Sequence, residues 1–498
     1  MVQGVDARVL GSRAARTQPT RRLGWRAAAF AWGLWAVVAA LLAGVGCTRA
    51  APSPTPRARA EPSPTPKLPW RAGAYATGSS APDAAEVAWL SRFAVVHAGG
   101  LEDPLPPATV RALRAAGVTT LLAYDWLPAA YHYTDGSPDP PWAAWLYAQR
   151  AWASLNPQGP YPHCRAEGYT WCQDLYYDLG DPRVRARRVA WLREWAQQHG
   201  YDGFFFDWGN DRFLDEPAYA ALRATYAARH PDLPYARAVA AFYRALRAEG
   251  LVVQSNQGFR AAEVLLPVVD LDMTESYATT DGPCPQPVRV PGQGPTAVPC
   301  TVYYPLSDDP AHGHLEDTLA YLDLLRQQVD RYAGPHFRGL VYLNYAAPAW
   351  EPVDASVPAE ARVYRPTRPR AAIYYGYALA ALAAFPAYTE VPWDHRLERD
   401  PVYFYDLGVP VDATYRAVPG RGYARFYTRG VVLVGEWTTA TTVTLAHPSV
   451  PAGPVYDAYR DAWLTAQAGV LTVTVRAETD PLTGQVIPTG RVYVYARP

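Results

Sequence analysis

Two carboxylates stand in short runs of the sequence that have the pattern of buried strands, where acidic side chains are unusual. Asp207 follows three phenylalanines in the stretch YDGFFFDWGND, residues 201–211, and Glu275 lies in DLDMTESYA, residues 270–278. Such surroundings remove water from a carboxylate, so a function or a partner must offset the cost. Two carboxylates across a sugar-sized cleft can hydrolyse a glycosidic bond: one attacks the anomeric carbon or activates water, and the other, with a raised pKa, protonates the leaving oxygen. We therefore predict Asp207 and Glu275 as a catalytic pair.

Each of these carboxylates also has a structural interpretation. Asp207 could cap the following helix or pair with an arginine, and strand parity could point Glu275 outward. Asp125, Asp211 and Glu390 are the next carboxylates to consider if the pair is wrong. The chemistry requires neither a metal nor a cofactor, and no histidines show metal-ligand spacing beyond the HGH at 312–314, which we interpret as a loop.

Further polar and aromatic side chains end or follow the apolar runs. Because active sites of parallel barrels form at the carboxyl ends of the strands, these side chains are predicted to converge on one substrate-binding mouth. They are His97, Asp125, Trp126, Trp208, Asp211, Asn256, Tyr277 and Asn344.

Short apolar runs alternate with amphipathic helical patterns over residues 70–398, which predicts βα units around a parallel sheet. The strand-like runs are 72–76, 93–98, 119–124, 203–207, 251–256, 271–277, 339–345 and, more weakly, 387–391. Eight such runs predict an (α/β)8 barrel. Alternating strands with short turns over 399–498 predict an all-β sandwich, which would support the barrel first and bind sugar second.

The segment 126–180 is too long for an ordinary connection and contains no long helical period. Such an insertion usually forms a lid or wall over the strand ends. Its aromatic side chains are either sugar-stacking platforms or packing for the insertion itself. They are Trp126, Tyr131, Tyr133, Trp142, Trp145, Tyr161, Tyr169 and Trp171.

The first 47 residues have the layout of an export signal, with several arginines before an uncharged run at 27–46. Cys47 follows a stretch that resembles the lipobox of bacterial lipoproteins, which predicts lipidation at Cys47 and a location at the cell envelope or surface. An uncleaved membrane anchor and a simple secretory signal are the alternatives. Residues 48–69 form a Pro-rich linker between the membrane and the barrel.

Four further cysteines form two local pairs, Cys164 with Cys172 and Cys284 with Cys300. In an oxidising compartment, disulfides within each pair are the simplest of the three possible connectivities. A metal site is the rival interpretation, but no CxxC and no adjacent histidine pair accompany these cysteines.

The composition excludes several classes of function. The chain carries 46 basic and 46 acidic side chains, so it has no net positive charge that would favour binding to nucleic acid. Lysine occurs once, at Lys67 in the linker, which excludes Schiff-base chemistry and a Walker-type phosphate loop. The 17 tryptophans and 35 tyrosines exceed what a core needs and favour flat, amphipathic ligands such as sugars.

The runs YDGFFFDWGND, LVVQSNQG and DLDMTESYA, in this order, resemble the barrel of the endo-α-1,4-polygalactosaminidase family, glycoside hydrolase family 114, and related glycoside hydrolases. The resemblance covers residues 70 to 390, with a small β domain after the barrel. It implies an endo-acting hydrolase of a polysaccharide of amino sugars. Asp207 would be the nucleophile, Glu275 the acid/base and Asn256 a substrate hydrogen-bonder. Gln257, between Asn256 and Gly258, and the long aromatic insertion depart from the pattern.

Two other classes of protein remain open. A barrel could hold polysaccharide at the envelope without cleaving it, which predicts glycan binding without release of reducing ends. A purely structural envelope lipoprotein predicts no affinity for glycans.

Overall fold

The structure, a computed structural model, describes residues 72–76, 82–158, 172–210, 214, 217–303, 314–358, 361–480 and 482–495. The predicted export signal, Cys47, the linker, Asp211 and the pairing of Cys164 with Cys172 lie outside the described residues. The same is true of three candidate aromatic residues, Tyr161, Tyr169 and Trp171, and of positions 312 and 313 in the HGH motif. None of the helices in the described residues is both long and apolar enough to cross a bilayer.

The barrel half of the chain contains strands β1 to β16. They are β1 Ala72–Ala76, β2 Val95–Gly100, β3 Thr120–Trp126, β4 Ala129–Tyr133, β5 Cys172–Tyr176, β6 Gly203–Asp207, β7 Val252–Asn256, β8 Leu271–Glu275, β9 Thr279–Pro283, β10 Val288–Arg289, β11 Pro295–Thr296, β12 Pro299–Tyr303, β13 Gly339–Tyr345, β14 Ala349–Pro352, β15 Tyr364–Thr367 and β16 Ala387–Glu390. The helices are α1 Ala84–Leu90, α2 Pro107–Ala115, α3 Pro141–Ala148, α4 Arg150–Ala153, α5 Pro182–His199, α6 Ala220–Arg229, α7 Tyr235–Ala248, α8 Ala262–Leu265, α9 His314–Tyr332 and α10 Arg370–Leu382.

Eight of these strands form one sheet in the order β1-β2-β3-β6-β7-β8-β13-β16, and every neighbouring pair is parallel. The edge strands β1 and β16 also approach within 8 Å, Cα to Cα, so the sheet curls round on itself. These are the eight runs that the apolar pattern predicts. The fold class, an (α/β)8 barrel followed by a β-sandwich, is confirmed.

Helix α5 shows how local sequence sets the barrel helices. Asp181 caps its N-terminus by accepting a hydrogen bond from the backbone N–H of Arg183 at 2.8 Å, and Pro182 fills the first position. Gly200 ends the helix with a φ of 78°, in the left-handed region that glycine enters without a Cβ penalty. Its apolar stripe, including Val184 and Leu192, is fully buried against the sheet.

The aromatic insertion is more regular than its sequence indicates. Strands β4 and β5 pair as an antiparallel hairpin, and α3 and α4 lie between them in the chain. Because the two strands are far apart in sequence and no short turn joins them, no local turn signal predicts that they pair. Tyr131 of β4 stacks on Trp126 at the end of β3, with ring centroids 5.6 Å apart, so the insertion covers part of the carboxyl edge of the barrel.

The C-terminal part is a sandwich of antiparallel strands. Its strands are β17 Arg416–Val418, β18 Gly422–Tyr427, β19 Gly430–Gly435, β20 Thr441–Ala446, β21 Gly453–Asp457, β22 Ala462–Ala466, β23 Val470–Val475, β24 Glu478–Thr479, β25 Val486–Ile487 and β26 Thr489–Val494. A six-stranded sheet, β17-β18-β19-β26-β21-β22, packs one face on the β20-β23 pair through side chains such as Phe426, Leu433 and Leu471.

The other face of the six-stranded sheet packs on α10 of the barrel. Val432 and Val492 of this face belong to the same apolar core as the barrel. Gly490 permits the close approach, since a Cβ there would lie 2.4 Å from the carbonyl oxygen of Tyr374. The sandwich and the barrel therefore share one continuous core.

Candidate active site

Three neighbouring strands end in polar residues that share one edge of the barrel. Asp207, Asn256 and Glu275 are the last residues of β6, β7 and β8. Carboxyl ends of parallel strands meet at one edge, so these side chains lie together. All three are buried, with exposed fractions of 7%, 4% and 8%.

The residue after each of these three side chains has the same unusual backbone conformation. Trp208, Gln257 and Ser276 have φ values of 51°, 58° and 52°, in the left-handed region. Such a conformation costs a non-glycine residue about 1–3 kcal/mol and is retained mostly at functional sites. The turn after Asp207 directs the backbone N–H of Trp208 back onto Asp207 Oδ1 at 2.8 Å. The backbone therefore takes the same left-handed conformation directly after each of the three candidate site residues.

Asp207 accepts three hydrogen bonds. Tyr124 donates its hydroxyl to Oδ2 at 2.9 Å, and Oδ1 accepts from Asn256 Nδ2 and from the N–H of Trp208, both at 2.8 Å. Burial raises the pKa of Asp207, and these three donors oppose the rise. Because donors to a carboxylate stabilise its charged form, Asp207 is the member of the pair suited to act as an anion.

The environment of Glu275 stabilises the charged form of its carboxyl less than the environment of Asp207 does. Burial raises its pKa most and the charge of Asp207 raises it further, while a hydrogen bond with Asn256 lowers it; the pKa is about 8. Glu390, 1% exposed at the end of β16, adds a smaller upward contribution through its charge. Tyr345 Oη lies 3.4 Å from Glu275 Oε1, at the long limit of a hydrogen bond. Glu275 therefore keeps its proton at neutral pH.

The environments of the two carboxyls thus differ: three donors favour the charged form of Asp207, whereas burial and a neighbouring charge favour the protonated form of Glu275. Asp207 is positioned as nucleophile or base and Glu275 as acid, which is the division that two-carboxylate hydrolysis needs. Asn256 lies between the two strands that carry them and interacts with both. Within the described ranges, no group of three or more His, Cys, Asp or Glu side chains could hold a metal ion.

Asp125 does not contact the substrate-binding mouth, and its predicted role in substrate binding is wrong. Successive side chains of a strand point to opposite faces. Tyr124 faces the barrel interior, where it reaches Asp207, so Asp125 faces the helices. There its Oδ2 pairs with Arg188 Nη2 of α5 at 2.5 Å, with both side chains at least 95% buried.

His97 lies inside the barrel, below the carboxylates, which contradicts its predicted contact with substrate. Its Nε2 is 2.5 Å from Oε1 of Gln254, and its ring stacks on Phe205 at 4.9 Å. Both of these partners precede site residues of the same strand, Asp207 and Asn256, by two positions, which is one layer deeper. Burial lowers the pKa of His97 to about 4.

Asn344 and Tyr277 hold the backbone together and do not face the mouth, so their predicted role in substrate binding is also wrong. The Oδ1 of the fully buried Asn344 accepts from the backbone N–H of Ala278 at 2.9 Å and of Thr279 at 3.1 Å. Tyr277 donates its hydroxyl to the carbonyl oxygen of Gly376 in α10. These bonds anchor the segment that follows Glu275.

The two candidate tryptophans beside Asp207 differ in exposure. Trp126 of β3 is in register with Asp207 but is only 8% exposed, because Tyr131 of the insertion stacks over it. Trp208 is partly exposed and packs edge-on against Tyr219, with ring centroids 6.1 Å apart. Both therefore line the region of the carboxylate pair.

Sequence reasoning missed two tyrosines that contact the pair, Tyr124 and Tyr345. Each lies in a predicted strand at a position that strand alternation could have identified. Tyr124 is two residues before Trp126, and Tyr345 ends its run. Alternation shows which side chains of a strand share a face. It does not show which face points into the barrel unless the orientation of one residue in that strand is known.

A cavity of about 370 Å³ lies at the opposite end of the barrel. It is lined by residues at the amino-terminal ends of the strands, including Thr120, Asp202, Val252 and Arg338. In (α/β)8 barrels that end serves stability, and catalysis belongs to the carboxyl end. We therefore place the candidate site at Asp207 and Glu275.

The predicted disulfide partners Cys284 and Cys300 are bonded to each other. The strands β9 and β12 pair antiparallel and follow β8 on the carboxyl side of the barrel. The bond joins the residue after β9 to the second residue of β12 and so closes the segment that connects the two strands.

No family model matches the chain, and no curated protein matches it. Among solved structures it is similar to the glycoside hydrolase domain of PelA from Pseudomonas aeruginosa, at 18% identity over 64% of this chain and 94% of that chain, with a TM-score of 0.36. An α-amylase from Malbranchea cinnamomea is similar at 11% identity over 82% of this chain and 87% of that chain, with a TM-score of 0.44. Ega3 from Aspergillus fumigatus, solved in complex with galactosamine, is similar at 13% identity over 63% of this chain and 88% of that chain, with a TM-score of 0.31. At these identities and TM-scores, we assign the fold from the strand order and the site from its own geometry.

Proposed function

We propose that the protein is a glycoside hydrolase that uses Asp207 and Glu275 as its two carboxyls. The observation that carries this proposal is their unequal hydrogen bonding at the ends of β6 and β8, on either side of β7. Three donors favour the charged form of Asp207, while burial and the charge of Asp207 raise the pKa of Glu275 to about 8. A pair of carboxyls with separated pKa values is what glycosidic hydrolysis needs.

In this proposal Glu275 donates its proton to the glycosidic oxygen as the bond to the leaving sugar breaks. Asp207 either attacks the anomeric carbon or removes a proton from the attacking water. Tyr124 and Asn256 hold the Asp207 carboxylate in place through their hydrogen bonds. If Asp207 attacks, the ionised Glu275 then removes a proton from a water molecule that attacks the anomeric carbon and breaks the bond between the sugar and Asp207, which restores both carboxyls. If Asp207 instead activates the water, it ends protonated and releases that proton to solvent, while Glu275 takes up a proton from solvent.

The substrate that we propose is a polysaccharide, with a polymer of amino sugars favoured by the sequence resemblance. The abundance of tryptophan and tyrosine supports a carbohydrate ligand. We further propose that the chain is exported and held at the cell envelope, through lipidated Cys47 or an uncleaved apolar segment, on the strength of the N-terminal pattern.

Two substitutions test the proposed roles on any glycan that the wild-type protein cleaves. Asp207→Asn should reduce kcat by orders of magnitude on every substrate, because the attacking or activating charge is gone. Glu275→Gln should spare substrates with good leaving groups, which need little protonation, and strongly impair poor ones. Glu263→Gln, at an exposed glutamate of α8, is the matched control.

The outcomes separate this proposal from its alternatives. Near-wild-type rates for both site variants, with folding verified, would overturn the assignment of the pair. Retention of glycans by the wild-type protein without release of reducing ends would instead favour a non-catalytic binding protein.

A further inference from the structure

Trp393 is an exposed tryptophan at the carboxyl edge of the barrel. Its side chain is 50% exposed, and it stands three residues after Glu390, the last residue of β16. Strand β16 pairs with β13, and β13 pairs with β8, which ends in Glu275. Trp393 therefore lies on the rim of the same edge as the carboxylate pair.

The backbone around Trp393 is fixed on both sides. Asp394 N–H donates to the carbonyl oxygen of Val391 at 3.0 Å, which closes a turn around Trp393. Asp394 then caps the following 3-10 helix by accepting from the backbone N–H of Arg396 at 3.0 Å. Val391 N–H donates to the buried carboxyl of Glu398 at 3.0 Å. The exposed indole is thus attached to an ordered segment.

The indole also rests on a buried support. Trp350 of β14 packs edge-on against Trp393, with ring centroids 6.0 Å apart at 73°, and is only 4% exposed. Its Nε1–H donates to the carbonyl oxygen of Pro299 at 2.8 Å. Pro299 begins β12, beside the disulfide of Cys300 with Cys284. The support is therefore tied to a covalently closed hairpin.

An aromatic ring held in this way suits the apolar face of a sugar ring. Stacking buries apolar area on both partners, and tryptophan has only two side-chain torsions to order. A single exposed tryptophan by itself is ordinary on a protein surface. The position on the catalytic rim separates Trp393 from Trp463, which is 48% exposed on β22 of the sandwich, where it packs on Tyr456 of β21.

We propose that Trp393 is a sugar-stacking platform that binds a unit of a long glycan beyond the bond being cleaved. The proposal rests on the proposed hydrolase function and adds a preference for polymers over short substrates. A short substrate that fills only the sites next to Asp207 and Glu275 would not reach the rim, whereas a longer chain would gain the stacking contact.

The test measures binding and cleavage separately. An array of soluble polysaccharides identifies the glycan that the wild-type protein binds best, and fragments of two and six sugar units are then prepared from it. Binding of both fragments is measured in an Asp207→Asn background, and cleavage is measured with the native pair. The variants are Trp393→Ala, Trp393→Tyr and, as the control of equal exposure, Trp463→Ala.

Trp393→Ala should weaken binding of the six-unit fragment about tenfold, the size expected for one aromatic contact, and should leave the two-unit fragment unchanged. Trp393→Tyr should recover most of the affinity, and Trp463→Ala should alter neither fragment. Equal affinities of Trp393→Ala and Trp463→Ala for the long fragment would overturn the proposal, as would an array without any bound glycan. Length-dependent weakening in a protein that cleaves nothing would retain the platform and reject the hydrolase.

Discussion

Replacing Glu275 by glutamine should stabilise the protein in a pH-dependent way. The carboxyl of Glu275 has a pKa of about 8 in the folded protein against 4.5 for an ordinary glutamate. Between these values the unfolded chain has released its proton while the folded protein retains it, so wild-type stability falls as the pH rises through this window. Glutamine cannot ionise, so the variant escapes this loss.

The size of the effect follows from the shift. One pKa unit corresponds to about 1.4 kcal/mol, so the loss in the wild-type protein could reach on the order of 5 kcal/mol above about pH 8. Below about pH 4.5 both states carry the proton and the contribution vanishes. The advantage of Glu275→Gln over wild type should therefore grow by several kcal/mol from about pH 5 to about pH 9.

Urea unfolding of the full chain, with disulfides intact, measures this difference at each pH. Glu263→Gln serves as the control, because its side chain is exposed and its loss should change stability little at either pH. A stability difference between Glu275→Gln and wild type that stays constant from acid to alkaline pH would refute the reasoning.

Two further substitutions test the contacts around the pair. Tyr124→Phe removes one donor from Asp207, a charged hydrogen bond of about 1.5–3 kcal/mol, so the acid limb of the kcat/KM profile should move up by about one to two pH units. Tyr226→Phe, at a buried tyrosine of α6, should leave that limb in place, and an unmoved limb in Tyr124→Phe would contradict the assignment. Asp125→Asn should destabilise the fold by about 3–5 kcal/mol in urea unfolding, because Arg188 would stay buried without its charged partner. A loss below about 1 kcal/mol would show that the pair is not a structural contact.

The sequence reveals strand positions better than the direction in which each side chain faces. The runs that end in Asp207 and Glu275 are local patterns, and both residues lie at observed strand ends. Facing direction alternates at every residue, so a one-residue difference separates Tyr124, which contacts Asp207, from Asp125, which pairs with a helix.

Other features depend on contacts between distant parts of the chain. Asn344 is fully buried because it bonds the backbone after β8, a partner more than sixty residues away. The hairpin of β4 with β5 and the support of Trp393 by Trp350 likewise join separated segments. Such contacts follow from the closed barrel and its loops, and a periodic pattern in one segment does not encode them.

The protonation of Glu275 is the property on which the proposed division of roles depends. A pH titration of its carboxyl carbon by NMR, in protein with labelled glutamate and with the signal assigned through Glu275→Gln, measures it directly. The expected pKa is about 8 in the wild-type protein and lower in Asp207→Asn, where the neighbouring negative charge is removed. A wild-type titration near 4.5, the value of an ordinary glutamate, would contradict the account, because Glu275 would then hold no proton to donate at neutral pH.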